Sequence, residues 1–274
     1  MKIALVSAFD YSFPGGVTNH IRNLSRQFEI QGHTVMVIGP CSDTDRVAND
    51  NFVPMGRPVP IPSNGSIARV SMSVWLRSRI KRLLDQERFD IIHLHEPFSG
   101  FVPLGTITAS ETVNVATFHS YRSSRFFRVG GTLLANRYFR RLHGLIAASE
   151  PARDFINQHF PGNYKVIPNG VHLDQYADDI DSFPHLRDGM INILFVGRLE
   201  KRKGLKYLLA AFSRLKWDWP NLRLIVVGPG KPDDDSYRII SERNIQDIML
   251  VGEVSEEQKV RYYDSADIFC SPAI

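Results

Sequence analysis

The sequence predicts an α/β fold built from two doubly wound parallel sheets in tandem. Short runs rich in Val, Ile and Leu alternate with stretches of helical periodicity, and continuously apolar strands are typical of parallel sheets covered on both faces. An acidic, proline-containing segment at 172–189 interrupts the alternation, which then restarts. The 274 residues correspond to about two domains. We therefore expect domains at 1–171 and 190–274, joined by a linker at 172–189.

In the first domain, the apolar runs and the amphipathic stretches between them alternate along the chain. The predicted strands are KIALV (2–6), TVMVI (34–38), DIIHL (90–94), VNVATF (113–118), LIAAS (145–149) and KVIP (165–168). The predicted helices are 17–30, 74–86 and 151–159.

The second domain repeats the pattern with fewer elements. Strands are predicted at 192–196, 222–227, 248–252 and 267–272, and helices at 204–216, 235–243 and 255–265. The last strand is followed at once by Ile274. Doubly wound sheets bind ligands in the loops at the carboxyl ends of their strands, so we expect this domain to be incomplete.

Composition excludes several classes of protein. A hydrophobic fraction of 43% and a charged fraction of 23% are ordinary for a globular chain and exclude a disordered or fibrous one. No apolar run approaches the ~20 residues of a membrane span, and no signal peptide is evident. With Cys41 and Cys270 alone, a disulfide framework is excluded and a reduced, cytoplasmic location is expected. A net charge of +4 does not indicate a nucleic-acid binder.

A glycine turn follows the first strand and leads into a helix. In Pro14-Gly15-Gly16 the adjacent glycines allow a close approach of backbone to ligand, and the N–H groups at the helix start favour an anion such as phosphate. The competing interpretation is a turn that needs glycine for conformation alone. The G-x-G-x-x-G fingerprint is absent, which argues against a nicotinamide enzyme.

Two cations follow the strand that opens the second domain. Arg198 and Lys203 lie in GRLEKRKG, at the carboxyl end of that strand. An Arg fork and a mobile Lys charge together neutralise a diphosphate leaving group without a metal ion. The competing interpretation is a solvated basic loop, because Lys201, Arg202 and Lys206 are also near. Their position at the end of the strand favours a diphosphate site.

Histidines mark two strand ends in the first domain. His119 ends VNVATFH, where it can donate to a ligand oxygen, although most isolated histidines are structural. His93 and His95 share one face of a strand, but no third ligand lies within sequence reach, so we expect no metal. Glu96 either reaches an acceptor hydroxyl or caps the next segment.

Other acidic and aromatic residues give weaker signals. We assign Asp10 and Tyr11, just before the glycine turn, to the acceptor side together with His95 and Glu96. The D-x-D patterns at 43–45 and 179–181 lie in polar segments, and we interpret both as chance matches to a metal-binding motif.

Two basic stretches suit an anionic membrane surface. WLRSRIKRLL (75–84) carries four cations on a predicted helix, and YRSSRFFRVGGTLLANRYFRR (121–141) has six arginines, several aromatics and no acid. A solvated helix face is the competing interpretation, and it is the stronger one for the first stretch.

Six motifs together resemble one family. They are PGGV at 14–17, HLHEPF at 93–98, TFH at 117–119, IPNGV at 167–171, GRLEKRKG at 197–204 and SADIFCSPA at 265–273. In this order they resemble the retaining glycosyltransferases of the GT-B fold, in the group 1 family that contains bacterial phosphatidylinositol mannosyltransferases. The resemblance covers essentially the whole chain.

The resemblance implies two Rossmann-like domains with a nucleotide-sugar donor, GDP-mannose or a UDP-sugar, in the cleft and no further cofactor. It implies that Gly15 and Gly16 face the diphosphate and sugar, that Arg198 and Lys203 hold the diphosphate, and that His119 sits beside the transferred sugar. Asn169 and Gly170 are implied to lie near the donor. The expected catalytic residues are therefore His119, Arg198 and Lys203.

The resemblance also implies a missing end and leaves the acceptor open. The family's E-x7-E loop is expected beyond Ile274, so the chain is expected to be C-terminally truncated. We expect transfer of a hexose, mannose by likeness, to a lipid or glycan hydroxyl by a cytoplasmic protein in peripheral contact with the inner membrane face. The alternatives are a non-catalytic nucleotide-sugar or membrane-binding module and, more weakly, a nicotinamide-dependent oxidoreductase.

Overall fold

The computed structural model describes residues 1–47, 51–63, 66–120, 136–171, 176 and 180–273. The chain divides into two compact units, Met1–Val171 and His172–Ile274. Each unit is built on a parallel sheet with connecting helices, which confirms the predicted α/β fold class. Among the described residues, none of the helices is long and apolar enough to cross a membrane.

The first unit contains a sheet of seven parallel strands and a separate antiparallel hairpin. The sheet strands are β1 (Lys2–Ser7), β2 (Thr34–Gly39), β3 (Phe52–Pro54), β6 (Ile91–His95), β7 (Val113–Phe118), β8 (Gly144–Ala147) and β9 (Lys165–Val166), and the hairpin pairs β4 (Val59–Ser63) with β5 (Ser66–Val70). The helices are α1 (Gly16–Ile30), α2 (Arg77–Glu87), α3 (Phe101–Ala109) and α4 (Glu150–His159).

The order of the sheet is β3-β2-β1-β6-β7-β8-β9. Strand order therefore reverses at β1, and the connections after β1 and β6 leave on opposite sides. Ligands of doubly wound sheets bind at the carboxyl edge of such a switch point. The pairing register brings Ser7 at the end of β1 beside His95 at the end of β6, and His95 beside Thr117 of β7.

Strand β1 is continuously apolar because both of its faces are covered. Ala4 and Val6 pack into the core on one face of the sheet, whereas Ile3 and Leu5 pack against α1 and β2 on the other. All four side chains are almost completely buried. A strand covered on both faces has no solvent-facing positions for polar residues.

Strand β3, the hairpin β4–β5 and helix α3 of the first unit were not predicted. In the sequence, Asn64-Gly65 stands between β4 and β5, and this dipeptide is a strong hairpin signal. These two residues lie outside the described part of the chain. Helix α3 contains Pro103 and Gly105, which argue against a helix in sequence. Gly105 permits close packing, because a Cβ there would lie 3.0 Å from side-chain atoms of Ile80 and Phe101.

The second unit has a four-stranded parallel sheet in the order β12-β11-β10-β13. Its strands are β10 (Ile191–Val196), β11 (Leu222–Val227), β12 (Ile248–Gly252) and β13 (Ile268–Phe269). Its helices are α5 (Leu205–Asp218), α6 (Asp234–Glu242) and α7 (Glu256–Asp264). The switch point lies at β10, between β11 and β13.

The described part of the segment 172–189 is bound to the second unit. Leu186 is buried in the same core cluster as Leu194 and Tyr262. The amide of Phe183 donates to Ser265 Oγ at 2.8 Å. Residues 172–175 and 177–179 of this segment lie outside the described residues.

Two glycines bring backbone into contact around the loop after β10. A Cβ on Gly228, whose φ is +143°, would lie 2.0 Å from the carbonyl oxygen of Gly197. A Cβ on Gly204, whose φ is +72°, would lie 2.2 Å from the carbonyl oxygen of Pro272. Only glycine fits either place, so these contacts fix the loop that carries Arg198.

Candidate active site

Three histidines converge at the switch point of the first unit. His95 ends β6, His119 follows β7, and His20 comes from the second turn of α1. The ring centroids of each pair are 5.4 Å apart. His95 Nδ1 and His119 Nε2 lie 3.1 Å apart and share a hydrogen bond. We call these three residues the histidine triad.

Glu96 holds the strand ends together. Its Oε1 accepts hydrogen bonds from the backbone amides of His119 and Ser120, both at 2.7 Å, and its own amide donates to the Thr117 carbonyl at 2.9 Å. Glu96 has a φ of +55°, an uncommon backbone conformation for a side chain of this size. Burial raises the pKa of Glu96, and the amide hydrogen bonds oppose that shift. The Glu96 carboxylate thus binds the chain that follows β7, not the segment that follows Glu96 itself, and its acceptor-side role stays a prediction.

Burial keeps the histidines neutral at physiological pH. Desolvation lowers the pKa of His119 to about 3 and that of His93 to about 4, with repulsion from neighbouring imidazoles as a further cause. The pKa of His95 is lowered well below 6.5, and that of His20 is also lowered, in both cases mainly by burial. His93 Nε2 is hydrogen-bonded to Thr117 Oγ1 at 2.7 Å.

Asp10 and Tyr11 are buried and engaged with protein groups. The Asp10 carboxylate accepts hydrogen bonds from the amides and hydroxyls of Ser12 and Ser42 at 2.6–3.2 Å. Tyr11 stacks on Phe52, and burial raises its pKa to about 12. Asp10 therefore fixes the loop before the glycine turn, and the acceptor-side role of both residues stays a prediction.

The glycine turn lies at the start of α1. Gly15 is the N-cap and has an extended backbone, and because it has no side chain the helix start is not capped by one. The first turn of α1 carries no acidic residue. A Cβ on Gly16 would meet no protein atom within 4 Å, and its φ is not positive. Neither a positive φ nor a close atom outside the local helix accounts for glycine at 16. A ligand-facing role of Gly15 and Gly16 stays a prediction.

Asn169 and Gly170 follow β9 and are exposed. A side-chain hydrogen bond between His119 and Asn169 opposes the fall in the pKa of His119, so the two residues are neighbours. A Cβ on Gly170 would meet no atom within 4 Å. The predicted residues His95, His119 and Asn169 thus lie together in the first unit.

In the second unit, the predicted cations lie at the carboxyl end of β10. Arg198 pairs with Glu200 at 3.1 Å, and Arg202 binds the other oxygen of the same carboxylate at 3.0 Å. The Arg198 side chain is only 25% exposed. Burial and repulsion from the two arginines lower the pKa of Lys203. Helix α5 starts beside this cluster with Gly204 as N-cap and no side-chain capping bond.

Several residues fell outside the prediction or outside the structure. His20 was not predicted, because its position on a helix gives no sequence signal linking it to two strand ends. Asp43 and Asp45 are exposed, and Asp43 pairs with Arg46, as expected of a polar loop. Asp179 and the basic residues at 121–135 lie outside the described residues.

The fold matches a solved structure of the GT-B class. The Anabaena protein Alr3699/HepE, crystallised in complex with UDP and glucose, superposes with a TM-score of 0.73 at 16% sequence identity. The match covers 100% of this chain and 74% of that one. The fold, with its two parallel sheets, is therefore GT-B.

Sequence comparison then identifies the family. Residues 14–175 match the model for Glycosyltransferase Family 4, and residues 177–274 match the model for Glycosyl transferases group 1. The chain belongs to glycosyltransferase family 4. It is 32% identical to a phosphatidyl-myo-inositol mannosyltransferase of Mycobacterium tuberculosis, covering 99% of this chain and 71% of the relative. It is 27% identical to an alpha-monoglucosyldiacylglycerol synthase of Acholeplasma laidlawii, covering 98% and 74%.

Because the pKa values of His93, His95 and His119 are depressed, we expect the NMR chemical shifts of their ring protons to stay nearly constant between pH 8 and pH 5. All nine histidines of the denatured chain should titrate near 6.5. Because only the unfolded state takes up these protons, each such imidazole lowers the free energy of unfolding by about 1.4 kcal/mol per pH unit below 6.5. A titration midpoint near 6.5 for His93, His95 or His119 in the folded protein would contradict this prediction.

Proposed function

We propose that the chain transfers a hexose, specifically mannose, from a nucleotide-sugar donor to a lipid hydroxyl with retention of configuration. The observation that carries the proposal is the pair Arg198 and Lys203 at the carboxyl end of β10, beside the uncapped start of α5. The names of the two relatives support a lipid acceptor, since both describe sugar attached to a lipid.

The second unit supplies the diphosphate site in this proposal. Burial is the largest cause of the lowered pKa of Lys203, and repulsion from Arg202 and then from Arg198 adds to it. A diphosphate relieves that repulsion, and Arg198 offers a fork of N–H donors that matches phosphate oxygens. The donor base is guanine or uracil. Uracil is the base in the complex of the Anabaena relative.

The first unit supplies the sugar site. Open space over Gly16 admits a ligand to the uncapped amides of α1. His119 is a neutral imidazole, with one nitrogen that donates and one that accepts. A neutral ring with one donor and one acceptor suits sugar hydroxyls.

In the proposed mechanism, an acceptor hydroxyl attacks the anomeric carbon on the face from which the nucleoside diphosphate leaves. The bond from that carbon to the diphosphate oxygen breaks as the new glycosidic bond forms, and the departing diphosphate takes up the hydroxyl proton. Arg198 and Lys203 balance the charge that develops on the leaving group.

An exposed apolar segment before α2 supports a membrane-facing role for the first unit. Met72, Val74 and Trp75 are exposed, Trp75 by 87%. Four exposed cations follow on α2: Arg77, Arg79, Lys81 and Arg82. Aromatic and aliphatic side chains beside a basic helix face suit the interface of an anionic bilayer. We propose that the protein is cytoplasmic and binds the inner membrane face peripherally.

Replacing Arg198 with alanine should weaken binding of GDP or UDP, whichever binds the wild type, at least tenfold by calorimetry. The reason is the loss of a charged hydrogen bond, worth about 1.5–3 kcal/mol. Arg202→Ala is the matched control, because Arg202 pairs with the same Glu200 carboxylate. Equal affinity of wild type and Arg198→Ala, or equal losses in the two variants, would remove the argument for this diphosphate site.

Replacing Gly16 with alanine should weaken nucleotide-sugar binding without lowering the melting temperature. No atom outside the local helix lies within 4 Å of the added methyl group, and the φ of Gly16 is not in the left-handed region, so alanine introduces neither a clash nor strain. A drop in melting temperature would show instead that the fold needs glycine here. Unchanged donor affinity would show that the donor does not approach Gly16.

Replacing Trp75 with serine should reduce cosedimentation with vesicles containing anionic phospholipid. Added salt should weaken wild-type binding, because the α2 cations contribute through screened electrostatics. Trp217→Ser is the matched control, since Trp217 is 86% exposed in the second unit. Equal binding of both variants and wild type would argue against this membrane contact.

A further inference from the structure

The histidine triad has the composition of a metal site. One ligand atom from each of His20, His95 and His119 lies within 4.8 Å of the others. The triad is the one group of three or more such ligands among the described residues. The sequence argument against a metal rested on the lack of a third ligand beside His93 and His95, and α1 provides that ligand in space.

The spacing of the rings agrees with tetrahedral coordination. Imidazole nitrogens lie about 2.0–2.1 Å from zinc, so two of them on one tetrahedral ion are about 3.4 Å apart. The shortest observed separation, from His95 Nδ1 to His119 Nε2, is 3.1 Å. The three ring centroids are equally spaced at 5.4 Å, and one ligand atom of each ring lies within 4.8 Å of the others. Small movements of the side chains therefore suffice to admit an ion.

An unsatisfied nitrogen provides an independent observation. Nε2 of His95 is completely buried and has no hydrogen-bond partner among the described groups. Each imidazole offers one lone pair to one ion, so an ion held through Nε2 of His95 satisfies this atom, whereas an ion held through Nδ1 leaves it unpaired.

The neighbouring polar groups are already engaged. His93 Nε2 is hydrogen-bonded to Thr117, and Glu96 Oε1 accepts two backbone amides. Neither is free to complete the coordination sphere without breaking these bonds. Three imidazoles with a remaining open position are a known ligand set for zinc, and imidazole favours zinc, nickel and copper over magnesium and calcium.

We propose that His20, His95 and His119 bind one transition-metal ion, Zn²⁺ or a comparable imidazole-preferring ion. If the proposed function is correct, the bound ion coordinates the imidazole of His119, which faces the transferred sugar. The ion then acts as an inhibitor of transfer and is not required for it.

The experiment is a metal titration of chelator-treated protein in the absence of any nucleotide sugar. Co²⁺ is used as a spectroscopic probe, because intense d–d absorption reports tetrahedral coordination, and Zn²⁺ is then added to displace it. One ion should bind per chain, and Mg²⁺ should not compete. His20→Ala should weaken binding at least tenfold, whereas His33→Ala, which removes an imidazole outside the triad, should leave it unchanged. Circular dichroism checks that both variants fold.

A second measurement uses the wild type alone. Zn²⁺ should shift the NMR signals of the His20, His95 and His119 rings and leave that of His33 in place. Absence of a one-to-one complex, equal affinity of His20→Ala and wild type, or shifts confined to other histidines would overturn the proposal.

The metal site and the proposed function fail separately. Transfer activity that persists with chelator and is unaffected by Zn²⁺, in protein that binds no Co²⁺, rejects the metal site and leaves the glycosyl transfer intact. Metal binding to the triad in a chain that binds no nucleotide sugar supports the metal site and rejects the proposed glycosyl transfer.

Discussion

The Glu96 carboxylate and the two backbone amides it binds hold the first unit's site in place. Parallel strands β6 and β7 pair along their length, but their ladder ends at His95 and Thr117. Beyond that point Glu96 Oε1 takes over, fixing the amides of His119 and Ser120 at 2.7 Å. The left-handed backbone at Glu96 turns its side chain toward them. Together with the pairing of β7 with β8 up to Phe118, this bond keeps His119 Nε2 within 3.1 Å of His95 Nδ1.

The histidines at these strand ends are neutral because the strand ends are buried. Desolvation disfavours charged imidazole, and each imidazole near another adds repulsion when protonated, so the cluster remains neutral far below the usual histidine pKa. A neutral ring keeps both a donor and an acceptor. That property suits hydroxyl groups of a sugar, and the same lone pairs suit a soft cation. The second unit uses the opposite strategy, since Arg198 and Lys203 retain charge beside a single carboxylate.

Sequence reasoning predicted the parts of this protein that depend on local pattern. The alternation of apolar runs and helices predicted both parallel sheets, and residues at strand ends such as His119 and Arg198 could be selected because topology brings strand ends to one edge. His20 could not be selected, since its neighbours in space are about 75 and 100 residues away along the chain and only the packing of α1 brings them together. Helix α3 was missed because burial overrides the low helix propensity of Pro103 and Gly105. The hairpin β4–β5 was missed although Asn64-Gly65 signals it.

The glycines show how structure separates two interpretations that sequence leaves equal. Gly204 and Gly228 have positive φ values, and any Cβ there collides with backbone at 2.0–2.2 Å, so the fold alone explains them. Gly16 opens α1 and has neither constraint. Where neither a positive φ nor packing accounts for a glycine, the close approach of a ligand is the explanation that we propose. The physical argument for an anionic or sugar ligand at the first unit therefore depends on Gly16 more than on the glycine-rich appearance of the turn.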